Sequence, residues 1–375
     1  MTNRFLISTI VVWQLLTVVC TVLSVRYLPI RDKFFGGMEL AGQLDPNPFL
    51  RNPILYSRAN FDGIHYINIA RGSSVGVSQQ AFFPLYIDLI KLIGPAFKNH
   101  NIAGVIISLG SFVAGGFFLK KLLALDYSLY TSRWVYIALL AFPVSFYFSF
   151  VYTEGLFFFL SIASFYFART GRWWFAGIMG ALASYTRITG ILLFPALIIE
   201  LISQHQIKKI IPVLLIPLGL VLFMSQLAKT TGDPLAFLHV QSTFAQGRSD
   251  TLVLLPQVFW RYLKIFATFN RSDPLFYTII LEFATSVIFF ILSIFVFFKH
   301  RLSYAFFNFA CFILPTLTGS FTSMPRYVLA GFPAFIIIGQ WLSGIKPIYK
   351  YTYLFISLVL NLLYLSLFVR GYWVS

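Results

Sequence analysis

The feature that most constrains this chain is a series of long apolar runs that follow one another with few polar interruptions. Hydrophobic residues make up 58% of the sequence and charged residues 11%, whereas soluble domains have about 45–50% apolar and about 25% charged residues. A soluble fold of this size could not bury so much apolar surface, and disorder requires low hydrophobicity. The sequence therefore excludes a soluble globular enzyme and predicts a chain that spans a membrane several times.

Two stretches, 28–80 and 228–274, are too polar to cross a bilayer, and the remaining residues suffice for about eleven helices of about 20 apolar residues each. The apolar runs are continuous, without the alternation of a membrane β-barrel, so an all-α polytopic protein is predicted. The predicted spans are 5–27, 101–119, 133–151, 153–168, 173–187, 189–203, 209–227, 275–298, 302–319, 327–344 and 351–369.

Two further segments decide how many times the chain crosses. The segment 81–97 contains Asp88, Lys91 and apolar residues at helical spacing, which predicts an amphipathic helix lying in the membrane interface. The apolar run 173–203 is too long for one ordinary span, and polar residues around Arg187 interrupt it. We therefore expect two helices that turn at Arg187.

The basic residues test this count. The chain has 28 basic and 12 acidic residues and a formal charge of +16, which in a membrane protein indicates cytoplasmic loops and lipid headgroups rather than nucleic acid. With the N-terminus inside, the short inner loops contain Lys120, Lys121, Arg133, Arg169, Arg172, Lys208, Lys209, Lys299, Arg301, Lys346 and Lys350. The positive-inside rule thus favours eleven helices, with the N-terminus inside and the C-terminus outside.

This topology makes residues 1–375 a single membrane domain with two long extracytoplasmic segments, 28–100 and 228–274. The first apolar run is longer than that of a signal peptide and no A-x-A site follows it, so it is predicted to remain as the first span. The chain's two cysteines lie in apolar runs and its five histidines lack metal-ligand spacing. Neither a disulfide framework nor a metal or other cofactor is predicted.

Acidic residues are scarce and fall mostly on the predicted outer side. Asp62 and His65 are three residues apart, one helical turn, so both can face one cleft. A carboxylate in such a place can act as a general base on a hydroxyl group. The alternative is that Asp62 caps the helix that follows it.

Three more charged residues lie at the predicted outer membrane edge. Glu154 lies between two aromatic helices, where an ionisable group faces a cavity or a partner, or else is favoured by the helix dipole. Arg187 and Arg326 can each bind a phosphate through a planar guanidinium, or can extend toward the headgroups as membrane arginines do. The convergence of these charges on one face is more informative than any one of them.

Several segments in order resemble a known family of membrane enzymes. They are ANFDGIHYINIARG, QQAFFPLYIDLIKLI, the run from Phe142 to Leu193, GDPLAFLHVQ and TSMPRYVLAGFPAFI. They resemble the integral-membrane mannosyltransferases related to the second mannosyltransferase of GPI-anchor synthesis, which have bacterial and archaeal relatives. The resemblance extends over most of residues 55–340.

The resemblance implies a GT-C bundle that takes a hexose, mannose, from a polyprenyl-phosphate donor on the extracytoplasmic side. The partners implied are membrane lipid, the lipid-linked sugar and a glycan or glycolipid acceptor. The family's catalytic acid matches Asp62, and Phe61 replaces the usual tryptophan before it. The family's later turns match Glu154 and Arg187, although the asparagine expected after Arg187 is absent.

The function expected from the resemblance is transfer of the hexose with inversion. Asp62 is the expected base, Arg187 and Arg326 are expected to stabilise the phosphate, and Glu154 or His65 to position the acceptor. A prokaryotic chain of this kind would lie in the plasma membrane. The alternatives are a transporter or flippase, for which Glu282 is an acid inside a helix, and a membrane polysaccharide ligase or polymerase.

Overall fold

A computed structural model describes residues 2–34, 36, 47–73, 76–243 and 252–374, so parts of both long predicted loops, 37–46 and 244–251, lie outside the described residues. Within the described ranges the regular structure is entirely helical. The chain divides into two compact units. Unit 1 comprises Met1–Gly76, Leu85–Tyr166 and Phe335–Val374, and unit 2 comprises Val77–Pro84, Phe167–Ala334 and Ser375.

The helices follow the apolar pattern of the sequence. The α-helices are α1 Asn3–Tyr27, α2 Asn47–Arg51, α3 Pro53–Tyr56, α4 Asp62–Ala70, α5 Pro84–Ile93, α6 His100–Leu123, α7 Leu129–Ala141, α8 Glu154–Arg169, α9 Trp173–Ser184, α10 Leu193–Ser203, α11 Leu215–Thr231, α12 Ala236–His239, α13 Leu255–Thr268, α14 Leu275–Lys299, α15 Leu302–Thr316, α16 Met324–Tyr327, α17 Phe332–Gly344 and α18 Pro347–Val369. Short 3-10 helices occupy Ser57–Ala59, Val77–Ala81, Gly94–Phe97, Ser145–Ser149, Ile188–Leu192, Ile207–Lys209, Ile211–Leu214, Val240–Thr243 and Val328–Ala330.

Many of these helices are apolar enough to enter a bilayer, and the chain is a polytopic membrane protein. Among the described residues, five are long enough to cross it: Asn3–Tyr27, His100–Leu123, Ile207–Thr231, Leu275–Lys299 and Pro347–Val369. A sixth candidate is the pair Met324–Ala330 and Phe332–Gly344, bent by 83°. Shorter apolar helices are Trp173–Ser184, Ile188–Ser203 and Leu302–Thr316.

Each of the segments predicted to span contains a helix, and the predicted break at Arg187 is confirmed. Helix α9 ends at Ser184 and a 3-10 helix begins at Ile188. The turn is tight because Gly190 lies against Ala183, where a Cβ atom would be 2.3 Å from the backbone carbonyl. The predicted interfacial helix at 81–97 corresponds to α5, which begins at Pro84.

Polar contacts join several helix ends within unit 1. Lys120, near the end of α6, donates to Asn3 at the start of α1. Lys350, near the start of α18, donates to the Tyr130 hydroxyl at the start of α7 over 2.8 Å. One end of unit 1 therefore gathers basic residues that the topology assigns to short inner loops.

At the other end of unit 1, the residues that follow α1 and α18 are hydrogen-bonded to each other. The Arg31 backbone N–H, just past α1, donates to the Arg370 carbonyl after α18 over 2.9 Å. Asn60 Nδ2 donates to the Phe368 carbonyl over 2.8 Å. The segment that leads into α4 is thus tied to the final turn of α18.

A buried carboxylate joins three helices within unit 2. Glu200 in α10 is fully buried and accepts from Arg301 Nη2 at 2.8 Å and from Ser303 Oγ at 2.5 Å. Arg169, at the end of α8, lies 3.6 Å from the same carboxylate, and Gln204 Nε2 donates to it over 2.8 Å. A charge buried this fully is stable only because every lone pair has a partner.

We expect Glu200→Gln to lower the stability of the protein sharply. The substitution leaves Arg169 and Arg301 without their counter-charge, and breaking a buried pair costs about 3–5 kcal/mol. The measurement is the midpoint of thermal aggregation in detergent, followed by fluorescence-detected size exclusion. Arg172→Ala is the matched control, since Arg172 is an exposed cation in the connection between α8 and α9, three residues after Arg169. Equal midpoints for the two variants would contradict the prediction.

Candidate functional site

Asp62 is the first residue of α4 and is partly exposed. The N-cap position belongs to Phe61, whose side chain makes no capping hydrogen bond. Asp62 therefore lies one residue beyond the N-cap position, and the capping role that the sequence left open for it stays a prediction. A carboxylate at the first position of a helix is still favoured by the helix dipole.

Phe61 holds an unusual backbone conformation directly before this acid, with φ +59° and ψ −118°. A non-glycine residue at positive φ costs of order 1–3 kcal/mol and persists only where its surroundings enforce it. The buried Phe61 ring packs against Phe34, Phe368 and Trp373, with ring centroids 5.3, 5.6 and 5.0 Å away. This aromatic cage supplies the contacts that maintain the strain.

His65 lies one turn further along α4 and is buried. Burial lowers the pKa of His65, and the Asp62 carboxylate opposes that shift. The imidazole is therefore neutral near pH 7, so one ring nitrogen can donate and the other can accept a hydrogen bond. The effect of Asp62 on this pKa supports the prediction that the two side chains lie near each other.

The segment before α4 is bound to the turn before α8. The Val151 N–H donates to the Arg58 carbonyl over 2.9 Å, and the Tyr152 hydroxyl donates to the Asn60 carbonyl over 2.6 Å. Gly63 allows the close approach, since a Cβ atom there would lie 3.1 Å from the Val151 carbonyl oxygen. Unit 1 thus holds the N-termini of α4 and α8 in one neighbourhood.

Glu154 is the first residue of α8 and is buried. The Tyr86 hydroxyl of α5 lies 2.7 Å from Ser108 Oγ, which itself donates to the Tyr152 carbonyl over 2.9 Å. Burial, Tyr66 and Glu154 all raise the pKa of Tyr86. Glu154 therefore belongs to a polar group formed with α5 and α6, and the structure places it in the same unit as Asp62 and His65.

Arg187 and Arg326 belong to unit 2, and a contact brings them into the same neighbourhood. Arg187 begins the turn between α9 and α10, and its Cζ lies 5.2 Å from the centroid of the Tyr327 ring. Tyr327 directly follows Arg326 in α16, where Arg326 is buried. A guanidinium that lies over an aromatic ring can still donate hydrogen bonds to other acceptors through its N–H groups.

Glu282 fixes the start of the segment that contains Arg326. The buried Glu282 accepts from the Ser323 N–H over 3.2 Å and from the Tyr262 hydroxyl over 2.6 Å. Ser323 has φ +66°, and its carbonyl accepts from the Arg326 N–H over 3.0 Å. Glu282 is the acid that the sequence places inside a helix, and these bonds give it a role in holding the backbone.

Sequence reasoning missed two residues of unit 1 that the structure places beside the site. Arg58 is buried, and its Cζ lies 5.5 Å from the centroid of the Phe150 ring. Burial lowers the pKa of Arg58, so its charge has lost solvation. Trp373 reaches Phe61 from more than three hundred positions away. Neither position carries a local signal, because both depend on contacts between distant segments.

In the part of the chain that the structure describes, no group of three His, Cys, Asp or Glu side chains could hold a metal ion. Comparison of the chain with protein-family models, with curated proteins and with solved structures gave no match.

Proposed function

We propose that the protein is a membrane glycosyltransferase that moves a hexose, mannose by resemblance, from a polyprenyl-phosphate donor to a hydroxyl of a lipid or glycan acceptor. The observation that carries this proposal is the strained Phe61, which presents the Asp62 carboxylate beside the neutral His65. Strain of this kind concentrates at functional sites. A partly exposed carboxylate beside a buried imidazole suits proton removal from a hydroxyl.

In the proposed reaction the acceptor oxygen bonds to the anomeric carbon of the hexose while the bond from that carbon to the phosphate oxygen breaks. The acceptor proton passes to Asp62, and the phosphate leaves with the electron pair. Attack opposite the leaving group inverts the anomeric configuration. His65 and Glu154 position the acceptor through hydrogen bonds.

Arg187 and Arg326 are assigned to the phosphate, as the resemblance implies. Arg187 and Arg326 present guanidinium groups, which donate paired hydrogen bonds to phosphate oxygens. Stabilising the charge that develops on the leaving phosphate lowers the barrier. The contact of Arg187 with Tyr327 supports a shared role for the two arginines.

The topology proposed with this function has eleven spans, a GT-C-like bundle, and an extracytoplasmic active site. Support comes from the helix ends. Lys120 and Lys350 lie at one end of unit 1, and Arg169 and Arg301 meet at Glu200 in unit 2. Within each unit taken by itself, residues that the positive-inside rule assigns to inner loops thus lie near one another. For a prokaryotic chain the proposed location is the plasma membrane.

Asp62→Asn is expected to lower hexose transfer by about a hundredfold or more, because a general base contributes about 10²–10⁴ to the rate. The measurement uses membranes that contain the variant, a polyprenyl-phosphate hexose with a labelled sugar, and endogenous acceptor. Asp88→Asn is the control, since Asp88 is an exposed acid of α5 in the same unit. Full transfer by an inserted Asp62→Asn protein would remove Asp62 from the role of base.

Arg326→Lys is expected to raise the KM for the donor by about tenfold to a hundredfold, since a lost charged hydrogen bond is worth about 1.5–3 kcal/mol. Lysine keeps the charge but not the planar pair of donors. The donor dependence of initial rates measures the effect, with Arg271→Lys, an exposed cation of unit 2, as the control. An unchanged KM would contradict the assignment of Arg326 to the phosphate.

Mass spectrometry of the products separates this function from a polysaccharide ligase or polymerase. The proposed enzyme adds one hexose from a lipid monophosphate donor, so product masses rise by single hexose units. A ligase would transfer a preformed glycan, and its products would differ from the acceptor by larger and variable masses.

A further inference from the structure

Helix α13 is amphipathic, with one side buried and an apolar side exposed, and it has no part in the proposed function. It lies in the predicted second outer loop and has 14 residues. Val258 and Tyr262 form its buried side. On the opposite side, Trp260 is 58% exposed and Leu263 51% exposed, so a large apolar stripe is uncovered.

Contacts with α14 set the position of α13 along a membrane-spanning helix. The Tyr262 hydroxyl donates to Glu282 over 2.6 Å, and the Phe266 and Phe283 rings are 5.1 Å apart. Glu282 is the eighth residue of α14, about 10 Å from its start at 1.5 Å per residue. Since α14 is an apolar helix of 25 residues, about 37 Å long against a hydrocarbon core of about 30 Å, these contacts lie in its first third, several ångströms below the edge of the hydrocarbon.

The neighbouring helix α14 also exposes side chains that lipid must cover. On the same early turns of α14, Tyr277 and Ile280 are exposed, and an apolar face of a spanning helix is solvated by acyl chains. At the edge of the stripe, the Lys264 Nζ lies 5.4 Å from the centroid of the Trp260 ring. Tryptophan and lysine side chains of this arrangement are typical of the headgroup boundary.

We propose that α13 is an interfacial helix whose Trp260 and Leu263 stripe is embedded in the lipid leaflet around the start of α14. The ligand of this surface is the bilayer itself, with acyl chains against the apolar stripe and headgroup phosphates near Lys264. The second extracytoplasmic segment therefore contains a membrane-bound helix, as the first segment is predicted to do at 81–97.

The same contacts connect this lipid-bound helix to a candidate anion site. Glu282 accepts from Tyr262 on one oxygen and from the Ser323 N–H on the other. Ser323 starts the helix that contains Arg326. Insertion of α13 thus stabilises the backbone that positions Arg326.

Fluorescence quenching of Trp260 tests the proposal without any enzymatic assay. The full chain is placed in nanodiscs with lipids brominated along the acyl chain, or in unmodified nanodiscs with aqueous iodide. The contribution of Trp260, one of seven tryptophans, is the difference between the chain and Trp260→Phe. We expect brominated lipid to quench most of this contribution and iodide to quench little of it.

A second variant shows whether the quenching result depends on a local change at Trp260. In Trp260→Phe/Leu263→Trp the indole moves one turn along the same stripe, and the same quenching pattern is expected. The contribution of Trp341, obtained in the same way from Trp341→Phe, is the reference, since Trp341 is exposed on an apolar helix of the candidate bent span. Strong iodide quenching at both positions would overturn the proposal in favour of a water-exposed helix. Protection from both quenchers would overturn it in favour of contact with another protein copy.

Discussion

The constraint on which the rest of this structure depends is that a bilayer offers no hydrogen-bond partner to the polypeptide backbone. Each N–H and C=O group in the hydrocarbon must be paired within the protein, so helices form wherever the chain is apolar. Irregular backbone is tolerated there only where protein buries it or a cavity adjoins it. Where the described residues break the apolar helices, packing contacts or a function must account for the irregular backbone.

The candidate residues lie at such interruptions. Glu154 follows the buried stretch 142–153, which has no α-helix, Arg187 lies in the break between α9 and α10, and Arg326 lies in the bent region before α17. Asp62 follows a residue at positive φ. At each of these places an α-helix begins or is interrupted, and a charged side chain lies at or beside that point.

Acids in this protein have two distinct physical roles, according to their burial. Glu200 and Glu282 accept bonds from several donors and hold helices or backbone in place. Asp62 is instead partly exposed on strained backbone, next to an imidazole that burial keeps neutral. The difference lies in solvation and backbone strain, because a fully bonded carboxylate stabilises a fold, whereas an accessible one can take up a proton.

The apolar pattern alone determined that the protein is helical and enters a membrane, because period and length are local properties of the sequence. It also located the break at Arg187 and separated the scarce acids from the apolar background. Only the tertiary structure decided that Phe61 is strained, that Trp373 helps to enclose it, and that Tyr262 and Ser323 share Glu282. Those features depend on packing between segments far apart in the chain, which neither spacing nor composition encodes.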